Sequence, residues 1–364
     1  MKILQVLPEL NIGGVERATL DLAKAIVARG HEAFVVSAGG VLVPELDESG
    51  AIHIKLAVGQ KNLGIIFTLK KMFNIIKTIQ PDIIHVRSRL PAWVVYVAMC
   101  GLSKKQRPVV VSTFHGLYST PWYSQIMSFS DHIISISDTV TEYIQVTYGV
   151  ALEKITRIYC GCDTEIFYEK PICKQWLENW YQIFPQTRDK IILTLPARIT
   201  KLKGIDSMIE LISRLDNRYH ALIVGPVHEK KRRYWEAVQA LVFEKKIQSR
   251  ITFCGARQDI DQIYLLSDVV YNLSNQPESF GRTVCEACNM GTKVIAWARG
   301  GPKEILEVLF PVGLVEPGDM AALVNKTYML TERTHMQKPI VGQFTSTQLI
   351  AKTMRLYQQL LSSE

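Results

Sequence analysis

The sequence predicts an α/β protein with two doubly wound parallel sheets, each in its own domain. Short apolar runs alternate with longer segments of helical spacing, which is the pattern of βαβ units. The apolar runs are continuous, as strands covered by helices on both faces require. The series breaks once and then starts again, so the 364 residues divide into two halves that are each long enough to bury a core.

The first half begins with the apolar run KILQVL, which predicts a strand rather than a signal peptide. A Gly13-Gly14 turn follows, and then a helix that stops at Gly30. Apolar residues at helical spacing predict another helix over 62–80. Further strands are predicted at EAFVVSA (32–38), DIIHVRS (82–88), VVVSTF (109–114) and HIISIS (132–137). We expect the N-terminal domain to span residues 1–165. Of the two domains, we expect this one to bind the acceptor.

The second half repeats the pattern after a segment without periodicity. That segment contains Pro171 and Pro185 and predicts a linker over 166–189. The C-terminal domain then covers 190–345, and a helix opened by a Ser/Thr cap, 346–364, packs back toward the N-terminal domain. The predicted strands are KIILTLPA (190–197), HALIVG (220–225), RITFCG (250–255), DVVYNL (268–273) and KVIAWA (293–298).

Positive charge is concentrated in one part of the N-terminal half. The chain has a formal net charge of +8, whereas residues 51–110 alone hold ten basic residues and one acidic residue, a net of +9. Such a field favours an anionic partner: nucleic acid, a membrane surface or a phosphorylated substrate. Nucleic acid is disfavoured, because the basic residues lack the interleaved aromatic residues of a base-stacking platform.

The seven cysteines form no regular framework, so we interpret them as reduced thiols of a cytosolic protein. Cys285 and Cys288 form a C-x-x-C on a predicted helix that faces the core, and Cys160 and Cys162 form a tighter pair. A four-cysteine zinc site is the alternative, but buried thiols are favoured.

Candidate functional residues fall after predicted strands, where doubly wound sheets bind ligands. Gly13-Gly14 opens a helix whose N-terminus favours an anion. Its spacing is not G-x-G-x-x-G, so a dinucleotide fold gains little support. In ARITKLKG (197–204), Arg198 and Lys203 can neutralise a leaving pyrophosphate, although a solvated basic loop is the alternative.

The stretch QPESFGRTVCEAC (276–288) combines two carboxylates with a glycine turn into a helix. Glu278 precedes the turn and can accept hydrogen bonds from sugar hydroxyls. Glu286 lies about two helical turns further on, where a carboxylate can bind a ribose diol. The alternatives are that Glu278 caps the helix and that Glu286 is a surface charge. The residues around Glu286 look buried, however, and a buried carboxylate needs partners.

These motifs together resemble glycosyltransferase family 4, whose members have the GT-B fold and use nucleotide sugars with retention of configuration. The resemblance rests on R198-x4-K203-G204, E278-S-F-G-R-T-V-C-E286-A, G291-T-K-V-I-A and G300-G301-P-K-E304. GGVER (13–17), HVRSRLPAW (85–93) and TFHG (113–116) match in the N-terminal half. RSRLPAW with PESFGRTVCEA most resembles bacterial enzymes of lipopolysaccharide core assembly.

The resemblance implies a role for each matched residue, in two Rossmann-like domains whose parallel sheets face a central cleft. It implies a catalytic set of His115, Arg198, Lys203 and Glu278, with Arg198 and Lys203 on the diphosphate and His115 beneath the sugar. The implied donor-binding residues are Gly14, Arg198, Lys203, Gly255, Ala256, Arg257, Glu278, Phe280, Gly281, Arg282, Thr283 and Glu286. The implied acceptor-binding residues are Glu16, Arg87 and Arg89, with no metal and no cofactor.

Two departures from the family pattern limit this assignment. Gly116 stands where the family often has Asp, which weakens an acid/base role near His115. RIYCGCDTEIF (157–167) replaces the usual NGVD-type turn at the expected hinge between the domains.

The expected reaction transfers a sugar from a UDP- or GDP-type donor to a lipid-linked or phosphorylated glycan, without metal. No D-x-D ends a strand and no nucleophile adjoins the anomeric position, so the resemblance implies front-face displacement. We expect a monomer or weak dimer, peripheral to the cytoplasmic side of the inner membrane, which does not bind nucleic acid. The alternatives are a nucleotide-sugar epimerase of the same fold, which would need general bases, and a nucleic-acid-binding protein.

Overall fold

The computed structural model describes residues 1–60, 65–118, 121–227, 231–332 and 338–362. The chain forms two compact units. The first comprises Met1–Cys160 together with Ser346–Glu364, and the second comprises Gly161–Thr345. The two sheets predicted from the sequence are confirmed, one in each unit, and all of their strand pairs are parallel.

The first unit contains a seven-stranded sheet in the order β3-β2-β1-β4-β5-β6-β7. Its strands are β1 (Lys2–Val6), β2 (Glu32–Ser37), β3 (Ile52–Lys55), β4 (Ile83–Val86), β5 (Val109–Phe114), β6 (His132–Ser135) and β7 (Ile155–Arg157). Its helices include α1 (Gly14–Ala28), α2 (Val43–Glu48), α3 (Ile65–Ile79), α4 (Arg89–Met99), α5 (Pro121–Ser124) and α6 (Asp138–Tyr148). The helix predicted over 62–80 is therefore present from Ile65, and residues 62–64 lie outside the described residues.

The second unit contains a six-stranded sheet in the order β10-β9-β8-β11-β12-β13. Its strands are β8 (Ile191–Pro196), β9 (Tyr219–Val224), β10 (Ile251–Gly255), β11 (Val269–Asn272), β12 (Lys293–Trp297) and β13 (Leu314–Val315). Its helices include α7 (Lys174–Ile183), α8 (Ile205–Arg214), α9 (Arg232–Glu244), α10 (Ile260–Leu266), α11 (Arg282–Asn289), α12 (Gly300–Leu309) and α13 (Met320–Glu332).

Both sheets reverse their winding at one point. The first grows from β1 to β3 in one direction and from β4 onward in the other, and the second does the same at β8 and β11. Loops that leave the carboxyl ends of the two strands at such a point diverge and leave a crevice for ligands. The fold thus favours one position in each unit for binding: beyond β1 and β4, and beyond β8 and β11.

The helix α14 (Ser346–Ser362) belongs to the first unit although it follows the whole second unit in sequence. Met354, Leu356 and Tyr357 are buried in the core that also holds Ile3 and Leu20. Buried His85 on β4 contacts the Tyr357 hydroxyl through Nδ1 at 2.6 Å and the Thr113 hydroxyl through Nε2 at 2.6 Å. Apolar packing and a buried polar network therefore both attach α14 to the first sheet.

The segment 166–189, for which the sequence predicts a linker, lies inside the second unit. Its helix α7 buries Trp180, which stacks on Trp176 with ring centroids 5.1 Å apart. The Trp180 indole N–H donates to the Thr187 hydroxyl at 3.0 Å. The aromatic residues that break the strand periodicity here pack onto the domain core, and the chain passes between units at residues 160–161 and 345–346.

Among the described residues, the helices are all too short or too polar to cross a bilayer.

Candidate functional site

The loops after β8 and β11 lie side by side in the second unit because these two strands pair. Lys203 follows β8, and Glu278, 75 residues later, follows β11. The Lys203 ammonium donates to Glu278 Oε1 at 2.5 Å, and the Ser274 hydroxyl donates to the same oxygen. The fold thus brings together two residues that the sequence pattern singles out separately.

The Glu278 carboxylate is held in its ionised form. Burial alone would raise its pKa, but the Lys203 charge and hydrogen bonds from Lys203, Ser274 and Asn272 lower the pKa below its usual value. Both side chains keep some exposure, 29% for Lys203 and 19% for Glu278, so a ligand can reach them. The pair therefore offers a cation and an anion to one small ligand.

Glycine allows these loops to touch through their backbones. Gly204 follows Lys203 with φ +69°, and a Cβ at this position would lie 1.9 Å from the Leu273 carbonyl oxygen. The Asn275 N–H donates to the Leu202 carbonyl at 2.8 Å across the same junction. Only glycine fits both the left-handed backbone and this close approach, so Gly204 fixes the position of Lys203.

A third loop, after β12, supports Glu278 from the other side. The Gly301 N–H donates to the Glu278 carbonyl at 2.8 Å, and a Cβ on Gly300 would meet the Glu278 nitrogen at 2.8 Å. The Arg299 guanidinium donates to the Asn275 carbonyl at 2.7 Å. The backbone around Glu278 is thus fixed by the glycine pair of the G-G-P-K-E segment.

Arg198 lies in the same loop as Lys203 but is exposed, and it forms no ion pair with any residue that the structure describes. Its charge is accordingly not neutralised by a described carboxylate. The loop offers one cation anchored by Glu278 and a second that extends into solvent.

The glycine turn predicted after Glu278 is present and begins α11. Gly281 caps the helix with φ +93°, Phe280 before it is buried, and Arg282 after it is exposed. The first backbone hydrogen bond of the helix runs from Val284 N–H to the Gly281 carbonyl at 3.0 Å. The N–H groups of Arg282 and Thr283 precede it, in the first turn where a helix favours anions.

Glu286 lies one turn further along α11 and is 6% exposed. Its Oε2 accepts from the Tyr264 hydroxyl at 3.1 Å, and its Oε1 accepts from Arg282 Nε at 2.7 Å. Burial raises the pKa of this carboxyl, and the Arg282 charge opposes that shift. Glu286 is therefore not a surface charge, and its buried carboxylate has the partners that its burial requires.

The segment Gly255-Ala256-Arg257 begins at the last residue of β10, which lies two strands away from β8 in the sheet. Gly255 and Ala256 are exposed, and Gly255 has φ +67°. Arg257 forms a bidentate pair with Asp259 at 2.9 and 2.6 Å, and Asp259 also accepts from the Trp176 indole at 2.6 Å. The accessible groups of this segment are thus backbone groups, while the Arg257 side chain pairs within the unit.

In the first unit, the loop after β1 leads directly into α1. Gly13 caps the helix, Gly14 is exposed, and the Glu16 carboxylate folds back over Gly13, where a Cβ would come within 2.2 Å of its Oε2. A carboxylate at this position interacts favourably with the helix dipole.

Arg87 and Arg89, which the sequence places at one strand end, have different environments. Arg87 is 5% exposed, and its Nε and Nη2 donate to Gln5 Oε1 at 3.1 and 2.8 Å. Arg89 is half-buried and donates to the Ser124 hydroxyl at 3.2 Å, with its guanidinium 4.8 Å from the Tyr118 ring centroid. Arg89 is the more accessible cation, while Arg87 is part of the domain interior.

His115 follows β5 on the same edge of the sheet. Burial and the nearby Arg87 charge lower its pKa to about 3, so the imidazole is neutral at pH 7. A neutral imidazole can donate one hydrogen bond and accept another, and it brings no charge to the site. The next residue, Gly116, has no side chain, so it provides no carboxylate as a partner for His115.

The cysteines are free thiols, and Cys162, Cys285 and Cys288 are fully buried. Within the described residues, no three His, Cys, Asp or Glu side chains form a group that could hold a metal ion. Of the two cysteine pairs, Cys162, Cys285 and Cys288 are thus buried thiols, whereas Cys160 is partly exposed.

Three contributors were missed by the sequence reasoning: Ser274 and Asn272 at Glu278, and Tyr264 at Glu286. Ser274 and Asn272 end the apolar run DVVYNLS, so the appearance of polar residues at a strand end was an available signal. Tyr264 lies 22 residues before Glu286 with no motif around it, and only the packing of α10 against α11 brings it there.

Comparison with known proteins agrees with this architecture. Residues 12–166 match Glycosyltransferase Family 4, and residues 178–339 match Glycosyl transferases group 1. A curated relative, the N-acetyl-alpha-D-glucosaminyl L-malate synthase of Bacillus anthracis, is 22% identical and aligns over 97% of this chain and 96% of its own length.

Two solved structures extend the comparison. A glycosyltransferase from Rickettsia africae ESF-5 is 28% identical with a TM-score of 0.83, over 100% of this chain and 99% of its own. HepE of Anabaena, solved in complex with UDP, has a TM-score of 0.79 at 22% identity, over 100% of both chains. The paired residues after β8 and β11, the two sheets and these matches lead to one assignment: the chain is a glycosyltransferase that belongs to glycosyltransferase family 4 and has the GT-B fold.

Proposed function

We propose that this glycosyltransferase moves a sugar, with retention and without metal, from a UDP- or GDP-type nucleotide sugar to an anionic acceptor. The acceptor we propose is a lipid-linked or lipopolysaccharide-type glycan at the cytoplasmic face of the membrane. The Lys203–Glu278 pair is the observation that carries the donor half. In a nucleotide sugar the diphosphate is bonded directly to the sugar. A cation that binds the diphosphate and a carboxylate that binds the sugar must therefore be neighbours, as Lys203 and Glu278 are.

The proposed chemistry depends on charge that develops on the leaving diphosphate. Lys203 and exposed Arg198 stabilise that charge, and the first turn of α11 adds backbone N–H groups. Glu278, kept ionised by its three donors, accepts hydrogen bonds from the donor sugar. The acceptor hydroxyl attacks from the face that the diphosphate leaves, and a phosphate oxygen takes its proton. His115 is neutral, so its role in the proposal is hydrogen bonding to a substrate without added charge.

A panel of UDP- and GDP-sugars, monitored by thermal shift, tests the donor assignment. A ligand at one hundred times its Kd adds about 2.7 kcal/mol of stability, which is readily measured. We expect a shift with members of one nucleotide class and equal transfer rates with and without EDTA. The absence of a shift with every nucleotide sugar, or loss of transfer in EDTA, would contradict the proposal.

Incubation with donor alone separates transfer from epimerisation. An epimerase interconverts nucleotide sugars without an acceptor, whereas a transferase shows at most slow hydrolysis. Proton NMR of the transferred product then reports its anomeric configuration, and inversion would exclude the retaining mechanism.

We expect Glu286→Gln to weaken nucleotide-sugar binding by about tenfold, because hydrogen bonds to a charged group contribute more than those to an amide. The amide is nearly isosteric and can still accept from Tyr264, so the fold is expected to persist. Calorimetric titration with the donor measures the effect. Glu307→Gln, an exposed position on α12, is the control, and equal donor affinity in both variants would remove Glu286 from the site.

The acceptor half of the proposal rests on the positive charge of the first unit. Arg89 is half-buried beside the rings of Tyr118 and Tyr123, a setting that suits a charged and partly apolar acceptor. On α3, Ile66 and Phe67 are 71% and 73% exposed, next to exposed Lys70 and Lys71. Exposed apolar residues beside lysines are the combination that an anionic membrane surface attracts.

We expect Arg89→Ala to raise the KM for an anionic acceptor by about tenfold, the effect of removing one charge-assisted hydrogen bond. Donor affinity and donor hydrolysis should not change, since Lys203 and Glu278 lie in the other unit. Steady-state kinetics with varied acceptor measure this, and Arg29→Ala, at the exposed residue that follows α1, is the control. An unchanged acceptor KM would show that Arg89 serves only the aromatic cluster around it.

Vesicle co-sedimentation tests the membrane surface. We expect binding to vesicles that contain anionic phospholipid at low salt, with loss as salt rises, because each Lys or Arg contributes about 1 kcal/mol near such a surface. Equal binding to neutral and anionic vesicles would contradict the proposal that the first unit binds an anionic membrane surface.

A further inference from the structure

A cavity of about 310 Å³ lies in the first unit between α4 and the sheet, at the end where β5 and β6 begin. Val109, Val110 and Asp131 line it at that end, and Val86, which ends β4, lines it on the other side. Its volume is at the lower limit of the pockets that bind small molecules. Its inner wall is buried and apolar, formed by Val86, Ala92, Val95, Pro108, Val110 and Ile126.

The mouth of this cavity is lined by aromatic and charged residues, unlike the inner wall, which forms the floor of the cavity. Exposed Tyr96 and Phe129 flank it, with ring centroids 5.6 Å apart. Lys104 and Arg107 line the same side and are exposed, and neither forms an ion pair with a described residue. The one acid at the mouth, Asp131, accepts from the Val110 N–H at 2.7 Å and so is directed to the backbone.

We infer that this cavity binds one alkyl chain of an anionic lipid, with its phosphate group on Lys104 and Arg107. Among the buried lining residues, Ser130 is polar, and its hydroxyl donates to the Met127 carbonyl at 3.3 Å, so the aliphatic side chains beside it favour an alkyl chain, of which each buried methylene contributes favourably. The two rim cations outnumber the one carboxylate, Asp131, so the rim favours an anionic head over a neutral or cationic one. This site goes beyond the proposed transfer reaction, because it requires neither the donor nor the acceptor residues.

Decyl phosphate below its micellar concentration is the probe, titrated by calorimetry into the full chain. We expect binding of decyl phosphate, binding at least about tenfold weaker for decyltrimethylammonium, and none for inorganic phosphate, because chain and head must both contribute. Equal affinity for the two amphiphiles, or for decyl phosphate and inorganic phosphate, would overturn the inference.

Two variants locate the binding. Ala92→Leu fills the floor and Lys104→Gln with Arg107→Gln removes the rim charges, and each should weaken decyl phosphate binding by about tenfold. Lys105→Gln, an exposed neighbour that does not line the cavity, is the matched control and should bind as the unchanged protein does. Should Ala92→Leu fail to fold, the rim variant decides. Unchanged affinity in the rim variant, or an equal loss in Lys105→Gln, would reject the site.

Because the probe is monomeric, this result is independent of vesicle sedimentation and of sugar transfer. If decyl phosphate does not bind, the proposals on membrane binding and on sugar transfer are unaffected. If either of those proposals fails, the inference about the cavity is unaffected.

Discussion

Replacing Lys203 with alanine is expected to lower the turnover number by about 10²–10³-fold at saturating donor, the effect of losing one group that stabilises developing negative charge. The interaction strengthens as the diphosphate departs, so the loss falls on kcat more than on donor binding. The same change removes the ammonium that donates to Glu278 at 2.5 Å, so the pKa of that carboxyl should rise. Single-turnover kinetics with saturating donor measure the chemical step directly.

Lys201→Ala is the control for that experiment. Lys201 lies in the same turn after β8, is exposed, and forms no ion pair with a described residue. We expect it to retain nearly full turnover. If Lys203→Ala behaved like Lys201→Ala, Lys203 would be a surface charge that only anchors Glu278.

Gly204→Ala is expected to destabilise the protein by more than about 3 kcal/mol, because the left-handed backbone disfavours a side chain and the new Cβ would overlap the Leu273 carbonyl. To relieve a contact of 1.9 Å, the loop must move away from β11, which carries Lys203 away from Glu278. Urea unfolding measures the stability, and donor titration of the folded fraction should show weakened binding.

Gly149→Ala separates the two causes of the expected loss of stability in Gly204→Ala, which are the left-handed backbone and the overlap with the Leu273 carbonyl. Gly149 ends α6 with φ +65°, close to the +69° of Gly204, but no atom lies within 4 Å of its hypothetical Cβ. We expect it to cost about 1 kcal/mol, the conformational penalty alone. An equal loss of stability in both variants would show that the close approach to Leu273 is not important.

Strands with continuous apolar runs were predictable to within one or two residues. VVVSTF matches β5 at both ends, and KIILTLPA differs from β8 by one residue at each end. Three short strands, β3, β7 and β13, were missed because they lie at or near the sheet edges and their runs are only two to four residues long. Such segments pair along one side or bury little surface, so their sequence carries a weak apolar signal.

The candidate site was predictable as separate motifs, but not as contacts. The sequence indicated Lys203 and Glu278 because each follows an apolar run, and the strand order then made them neighbours. It did not indicate that Arg87 would point into the domain toward Gln5, since Gln5 lies in no motif and 82 residues separate the two. Which of two nearby arginines faces the solvent is decided by tertiary packing, which periodicity does not describe.

The location of α14 has a consequence for biosynthesis. Tyr357 completes the core of the first unit, yet the ribosome makes residue 357 only after all of the second unit. Domains generally fold as they emerge, with the earlier one first. Here the later domain can bury its core before the earlier one is complete, and the nascent N-terminal sheet stays partly uncovered meanwhile. A fragment that stops at residue 160 should therefore aggregate, whereas one that spans 161–345 should fold alone.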